Sequence, residues 1–186
     1  MTLANYITLG RVALIPVFAA LVVLYTREQQ WLRYAALGVF LTAAASDGVD
    51  GLVARKWNQR TKLGMALDPL ADKLLLNLTF VFLAVNDAFL TPVPKWVPVI
   101  VLGRDVVVVL GAYLINEHYG PVKAAPHVLG KLTTAAQMTA IVAVLLELPG
   151  AWVTGILYTM VAVTLLSLLD YIVDGIGQVR SKDNAL

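Results

Sequence analysis

The sequence contains no cysteine, which excludes disulfides, thiolate nucleophiles and Cys-ligated metal centres. Charge is also scarce. Asp, Glu, Lys and Arg make up 14% of the chain, where soluble domains carry about 25%. The net charge of +2 is too small for a nucleic-acid partner. Only two histidines are present, and they do not form a helical pair. Internal repeats and low-complexity stretches are missing too. What fills the space is apolar: 59% of residues are hydrophobic and the mean hydropathy is +0.77. That excess points to lipid as the solvent. A spanning helix needs roughly 20 mostly apolar residues, so 186 residues leave room for about six spans. The expectation is an all-α polytopic membrane protein, one transmembrane domain over 1–186, with no separate soluble domain.

Six apolar segments fall near 7–25, 33–53, 63–86, 95–116, 129–148 and 151–177. The first follows a start without a basic stretch and is read as a retained span. Connections at 26–31, 86–94 and 147–150 then share one side of the membrane. Those at 56–62 and 117–128, with both termini, share the other. Arg11, Arg55, Lys56, Arg60, Lys62, Lys123, Lys131, Arg180 and Lys182 flank the second side, against only Arg27, Arg33 and Lys95 on the first. The positive-inside bias puts the second side in the cytoplasm. Trp31, Trp57, Trp96 and Trp152 lie near span ends, as an aromatic belt requires.

Carboxylates are costly inside a bilayer, yet Asp47, Asp50, Asp68 and Asp72 fall within 26 residues across spans two and three. Asp47 and Asp50 are i,i+3 and Asp68 and Asp72 are i,i+4, so each pair shares a helix face. Antiparallel packing of the two spans brings both pairs to similar depth on the cytoplasmic side. Four such acids need compensation. Hard divalent cations, Mg2+ or Mn2+, suit an all-oxygen donor set, and two metals sharing carboxylates activate an oxygen nucleophile and stabilise phosphoryl charge. Gly51 and Gly64 admit a ligand close to the backbone, and Arg55 can fork onto phosphate oxygens. A structural network neutralising Arg55, Lys56 and Lys73 is the blander reading, and burying such networks is expensive. A cation pathway has no need of glycines at fixed spacing. The Asp-Asp-x-x-Asp clusters typical of prenyltransferases are absent.

Read as a string, the segment is Asp47-x2-Asp50-Gly51-x2-Ala54-Arg55-x8-Gly64-x3-Asp68-x3-Asp72. It resembles the signature of the CDP-alcohol phosphotransferase family at all eight fixed positions. The opening Asn5-x-Ile7-Thr8-Leu9-x-Arg11 and the run Gly130-Lys131-x2-Thr134-x2-Gln137 extend the likeness over nearly the whole chain. The resemblance implies a homodimer whose active-site cavity opens to the cytoplasm and the lateral membrane. It implies that Asp47, Asp50, Asp68 and Asp72 hold two metals, with Asp72 also the general base. Asp47, Gly51, Ala54, Arg55 and Gly64 then frame the CDP moiety of CDP-diacylglycerol. The acceptor hydroxyl attacks the phosphorus bearing diacylglycerol and expels CMP. A bacterial inner membrane is the expected location.

Arg104 lies inside span four and Lys131 at the start of span five. An intramembrane Arg avoids lipid, and by the resemblance both cations bind the acceptor's phosphate. Balance between Arg104 and Asp105 is the local alternative, although i,i+1 neighbours do not share a helix face; for Lys131 it is a positive-inside anchor. The expected acceptor is glycerol 3-phosphate. Arg104-Asp105, Gly130-Lys131-Leu132-Thr133-Thr134 without a second lysine, and Pro92-Val93-Pro94 resemble instead the cardiolipin-forming members, whose acceptor is phosphatidylglycerol. His118 and His127 are expected to face solvent or headgroups. Asp170 and Asp174 either pair with cavity lysines such as Lys73 or reach the interface.

Overall fold

In a computed structural model of the chain, the backbone is described over 3–57, 62–120 and 128–183, and side chains over 10–46, 73–118, 120 and 128–180. Six helices appear, and no strand among the described residues: α1 (Leu3–Val23), α2 (Gln30–Trp57), α3 (Lys62–Val85), α4 (Trp96–Tyr119), α5 (Val128–Leu145) and α6 (Gly150–Asp183). Each coincides with one expected apolar segment. Among the described residues, α4 over Trp96–His118, α5, and α6 over Gly150–Arg180 are long and apolar enough to cross a membrane. Gly10–Val23 and Lys73–Val85 are shorter apolar stretches of α1 and α3. Large apolar side chains face outward along whole helices, among them Val106, Val109, Leu110 and Leu114 of α4 and Leu165, Leu169, Val173 and Ile176 of α6. Water would penalise such a surface and lipid does not. The chain is an integral membrane protein.

The core forms where the helices turn toward one another. Phe18 and Val22 of α1, Phe40 of α2, Phe80 of α3, Ile141 of α5 and Met160 of α6 are essentially inaccessible. The rings of Phe18 and Phe40 lie 6.2 Å apart, fixing α1 against α2. Trp96 sits 5.9 Å from Tyr158 at the start of α4 and α6. Further along, Arg104 bonds to Ser167 at 2.8 Å, so these two helices run in parallel.

The loops 24–29, 86–95 and 146–149 gather at one end, as the topology requires, and polar side chains bind them there. Glu147 is central. Its Oε1 accepts from the Tyr25 hydroxyl at 2.9 Å and the Leu90 N–H at 3.1 Å, while its Oε2 lies 3.2 Å from Arg33 Nη1. Arg33 also donates to the Leu145 carbonyl at 3.2 Å. The Asn86 amide donates to the Val22 and Tyr25 carbonyls at 2.6 and 2.9 Å, and Arg27 Nε donates to the Ala88 carbonyl at 3.0 Å.

Glu147 also closes α5. Its φ of 49° lies in the left-handed region, and Leu148 N–H donates to the Ala143 carbonyl at 3.2 Å, the Schellman pattern that glycine ordinarily supplies. The left-handed conformation costs a non-glycine residue of order 1 kcal/mol, offset here by three side-chain partners. Pro149 immediately precedes α6, its carbonyl accepting from Trp152 N–H at 2.8 Å. Trp31, Trp96 and Trp152 all lie exposed at this same end; the Trp57 side chain lies outside the described ones.

Candidate active site

The site is approached along α2 and α3. α2 carries the signature to Arg55 and α3 from Gly64 on, so Asp47 and Asp50 stand one turn apart on α2, and Asp68 and Asp72 one turn apart on α3. From Gln30 to Asp47 the rise is about 25 Å, so the acids lie in the half of the bundle away from the Glu147 end. The side chains of Asp47, Asp50, Gly51, Ala54, Arg55, Gly64, Asp68 and Asp72 are outside the described residues. Among the described residues, no three His, Asp or Glu side chains form a metal-sized cluster.

One residue beyond Asp72 the side chains are described, and a polar network begins. Lys73 of α3 pairs with Asp105 Oδ1 of α4. Asn77, one turn further along α3, donates to Asp105 Oδ2 at 3.1 Å. Arg104 Nη1 donates to Asp105 Oδ1 at 2.8 Å, and Arg104 Nη2 donates to Ser167 Oγ of α6 at 2.8 Å. The Tyr171 ring lies beneath the guanidinium, 5.1 Å from its carbon. Arg104 is 5% exposed and its Nε has no hydrogen-bond partner among the described residues. Three helices thus converge on one carboxylate and one guanidinium.

The adjacent Arg104 and Asp105 do meet, contrary to the i,i+1 expectation. The guanidinium is long enough to swing along the helix surface and reach a short neighbouring carboxylate. Lys73 finds its partner on α4. Asp170 and Asp174 lie on α6, half-buried and exposed respectively. His118 is exposed at the end of α4, one ring nitrogen 3.1 Å from the Leu114 carbonyl, and His127 lies outside the described residues. Arg11, counted above as a cytoplasmic flank, is 1% exposed and faces the protein interior.

From α5, Lys131 is exposed while its neighbour Gly130 packs inward. A Cβ at Gly130 would lie 3.2 Å from the Tyr171 hydroxyl and 4.0 Å from Arg104 Nη2, so glycine is what lets α5 approach the guanidinium. Thr133 is buried and donates to the Leu129 carbonyl of its own helix at 2.8 Å. An open apolar groove of about 320 Å3 runs between α2, α5 and α6, with Phe40, Leu41 and Ala44 on one wall and Met138 and Ile156 opposite. Ala44 precedes Asp47 by three residues.

Sequence reasoning missed Asn77, Ser167 and Tyr171. Their signal was present: Lys73 and Asn77 are i,i+4, as are Ser167 and Tyr171, so each pair places polar groups on one helix face.

The sequence model of the CDP-alcohol phosphatidyltransferase family matches residues 1–170. The chain is 36% identical over 157 residues to a CDP-diacylglycerol–glycerol-3-phosphate 3-phosphatidyltransferase of Bacillus subtilis, covering 78% of this chain and 77% of that one. Its Escherichia coli K12 namesake is 34% identical over 171 residues, 89% of this chain and 90% of the other. Human cardiolipin synthase (CMP-forming) is 33% identical over 158 residues, 76% of this chain, and this chain spans about half the human protein's length. A match over nearly the full sequence, around the aspartate string on α2 and α3, shows that the chain belongs to the CDP-alcohol phosphatidyltransferase family.

Proposed function

We propose that this protein transfers a phosphatidyl group from CDP-diacylglycerol to glycerol 3-phosphate, releasing CMP, in phospholipid biosynthesis. The observation that carries the reading is the pairing of aspartates on consecutive helices, with Lys73, the residue after Asp72, tied through Asp105 to the buried Arg104 guanidinium.

The donor set fits a metal site by its chemistry. Four carboxylates, with no thiolate in the chain, suit two hard divalent cations, Mg2+ or Mn2+. Asp47, Asp50, Asp68 and Asp72 are the residues to hold them, and bound there such ions supply positive charge against the donor's diphosphate. Asp47, Gly51, Ala54, Arg55 and Gly64 frame the CDP moiety, with small residues admitting the nucleotide and Arg55 forking onto phosphate oxygens. The apolar groove beside Ala44 suits an acyl chain of the donor.

Arg104 and Lys131 take the acceptor's phosphate, which places its hydroxyl toward α3. Asp72 accepts the hydroxyl proton. The alcohol oxygen then bonds to the phosphorus bearing diacylglycerol, the bond from that phosphorus to CMP breaks, and CMP leaves with the electron pair. The active site faces the cytoplasm of a bacterial inner membrane, and the working unit is a homodimer.

Glycerol 3-phosphate is favoured because the likeness to the E. coli relative named for it, 34% identical, spans about nine tenths of both chains. Phosphatidylglycerol, giving cardiolipin, is the second reading. Arg104-Asp105 and the absence of a second lysine after Lys131 favour it, and human cardiolipin synthase is 33% identical.

The test is an acceptor panel on purified protein with CDP-diacylglycerol and Mg2+ or Mn2+. CMP release with glycerol 3-phosphate is expected. Release with phosphatidylglycerol alone selects the second reading, and no release with any alcohol ends the enzyme reading. Asp72→Asn should lower turnover by about a thousandfold while CDP-diacylglycerol still binds; a near-normal rate would remove Asp72 from the base role.

A further inference from the structure

Asp105 joins three polar side chains from α3 and α4, yet the reaction above leaves it without a task. Its Oδ1 takes Lys73 and Arg104 and its Oδ2 takes Asn77. With both oxygens occupied by protein donors, it is poorly suited to bind a substrate itself. Its effect is on Arg104. Asp105 holds Nη1, Ser167 holds Nη2, and Tyr171 covers one face of the plane. A guanidinium fixed at two of its three nitrogens cannot rotate, so the direction of the N–H on the third, Nε, is set. That Nε–H is buried and has no hydrogen-bond partner among the described residues.

A buried guanidinium N–H without an acceptor is costly, and its charge favours an anion's oxygen as the partner. We propose that Asp105 is a positioning residue for the acceptor alcohol: it aims Arg104 Nε at the acceptor's phosphate and, through Lys73, ties that cation to the helix carrying Asp72. This rests on the phosphatidyltransferase reading. The ligand class is a phosphate mono- or diester of a small alcohol.

Calorimetry on the detergent-purified full chain tests it, with glycerol 3-phosphate and phosphatidylglycerol titrated separately and CMP release followed in parallel. For whichever acceptor the wild type binds, Asp105→Asn should raise Kd and acceptor KM about tenfold, with the CDP-diacylglycerol KM changed less than about twofold. Asp105→Glu should recover part of the loss. In an Arg104→Gln background the same Asp105→Asn change should add less than about twofold, because Asp105 acts through Arg104. Additive effects, or equal shifts for donor and acceptor, would overturn the proposal. If Asp105→Asn does not yield folded protein, Asn77→Ala removes one tether and should raise the acceptor Kd two- to threefold, roughly; an unchanged Kd overturns it. Acceptor binding without CMP release would sink the reaction reading and leave Asp105's role standing. A wild type that binds neither acceptor sinks the role.

Discussion

Tyr25 illustrates how one hydroxyl can report on a whole assembly of loops. It is 2% exposed and donates to Glu147, whose carboxylate also holds Arg33. Burial pushes its pKa above the usual 10.0, and the neighbouring Glu147 carboxylate pushes it the same way. The folded state therefore keeps the proton at a pH where the unfolded chain releases it. That contribution to stability is fully present below pH 10 and is lost as pH rises through the folded value. Thermal melts in detergent between pH 8 and 11.5, roughly, should show a steeper alkaline fall in wild type than in Tyr25→Phe. The variant should lose about 1 kcal/mol at neutral pH for the missing hydrogen bond. Identical slopes would mean that Tyr25 titrates normally. None of this was readable beforehand, because Tyr25 and Glu147 are 122 positions apart and each alone looks like an ordinary loop residue.

At the level of the helices, the contact between α5 and α6 depends on one missing side chain. Gly130 lies where a Cβ would stand 3.2 Å from the Tyr171 hydroxyl, close enough to require Tyr171 to move by a few tenths of an ångström. Tyr171 supports the face of Arg104, so the displacement passes to the guanidinium. Gly130→Ala should weaken acceptor use by about fivefold with a melting temperature within a few degrees of wild type, and Gly130→Val should do more of both. Gly111 on α4 has nothing within 4 Å of a new Cβ, so Gly111→Ala should be silent in the same assays. Equal effects at the two glycines would remove the packing argument. Helix existence and order were legible from hydropathy alone, because lipid imposes length and apolarity on each span. The Arg104–Asp105 pair was not, because helical periodicity describes where Cβ atoms point and a guanidinium reaches well past its own Cβ.

For the molecule as a whole, polarity across the membrane follows from two separate features. The end holding 24–29, 86–95 and 146–149 carries three exposed tryptophans and few basic residues. The opposite end carries the signature and most of the lysines and arginines. With no native cysteine, single-cysteine variants report directly. In intact cells an impermeant maleimide should label Gln29→Cys at once, and Glu117→Cys only after the membrane is opened. The reverse pattern would invert the proposed orientation. The aspartate string was readable in full, since eight residue types at fixed spacing need no tertiary information. The network behind it required the structure: Lys73, Asp105 and Ser167 come from three helices and are joined by no local pattern.

The Glu147 contacts also set a clock on assembly. Arg33 and Tyr25 leave the ribosome long before Glu147 exists, and synthesis of the intervening 122 residues takes on the order of ten seconds. For that interval the guanidinium of Arg33 has neither the Leu145 carbonyl nor the Glu147 carboxylate to bind. The α1–α2 hairpin has to hold by its own apolar contacts, such as Phe18 against Phe40. The last loop to emerge is thus the one that locks the first.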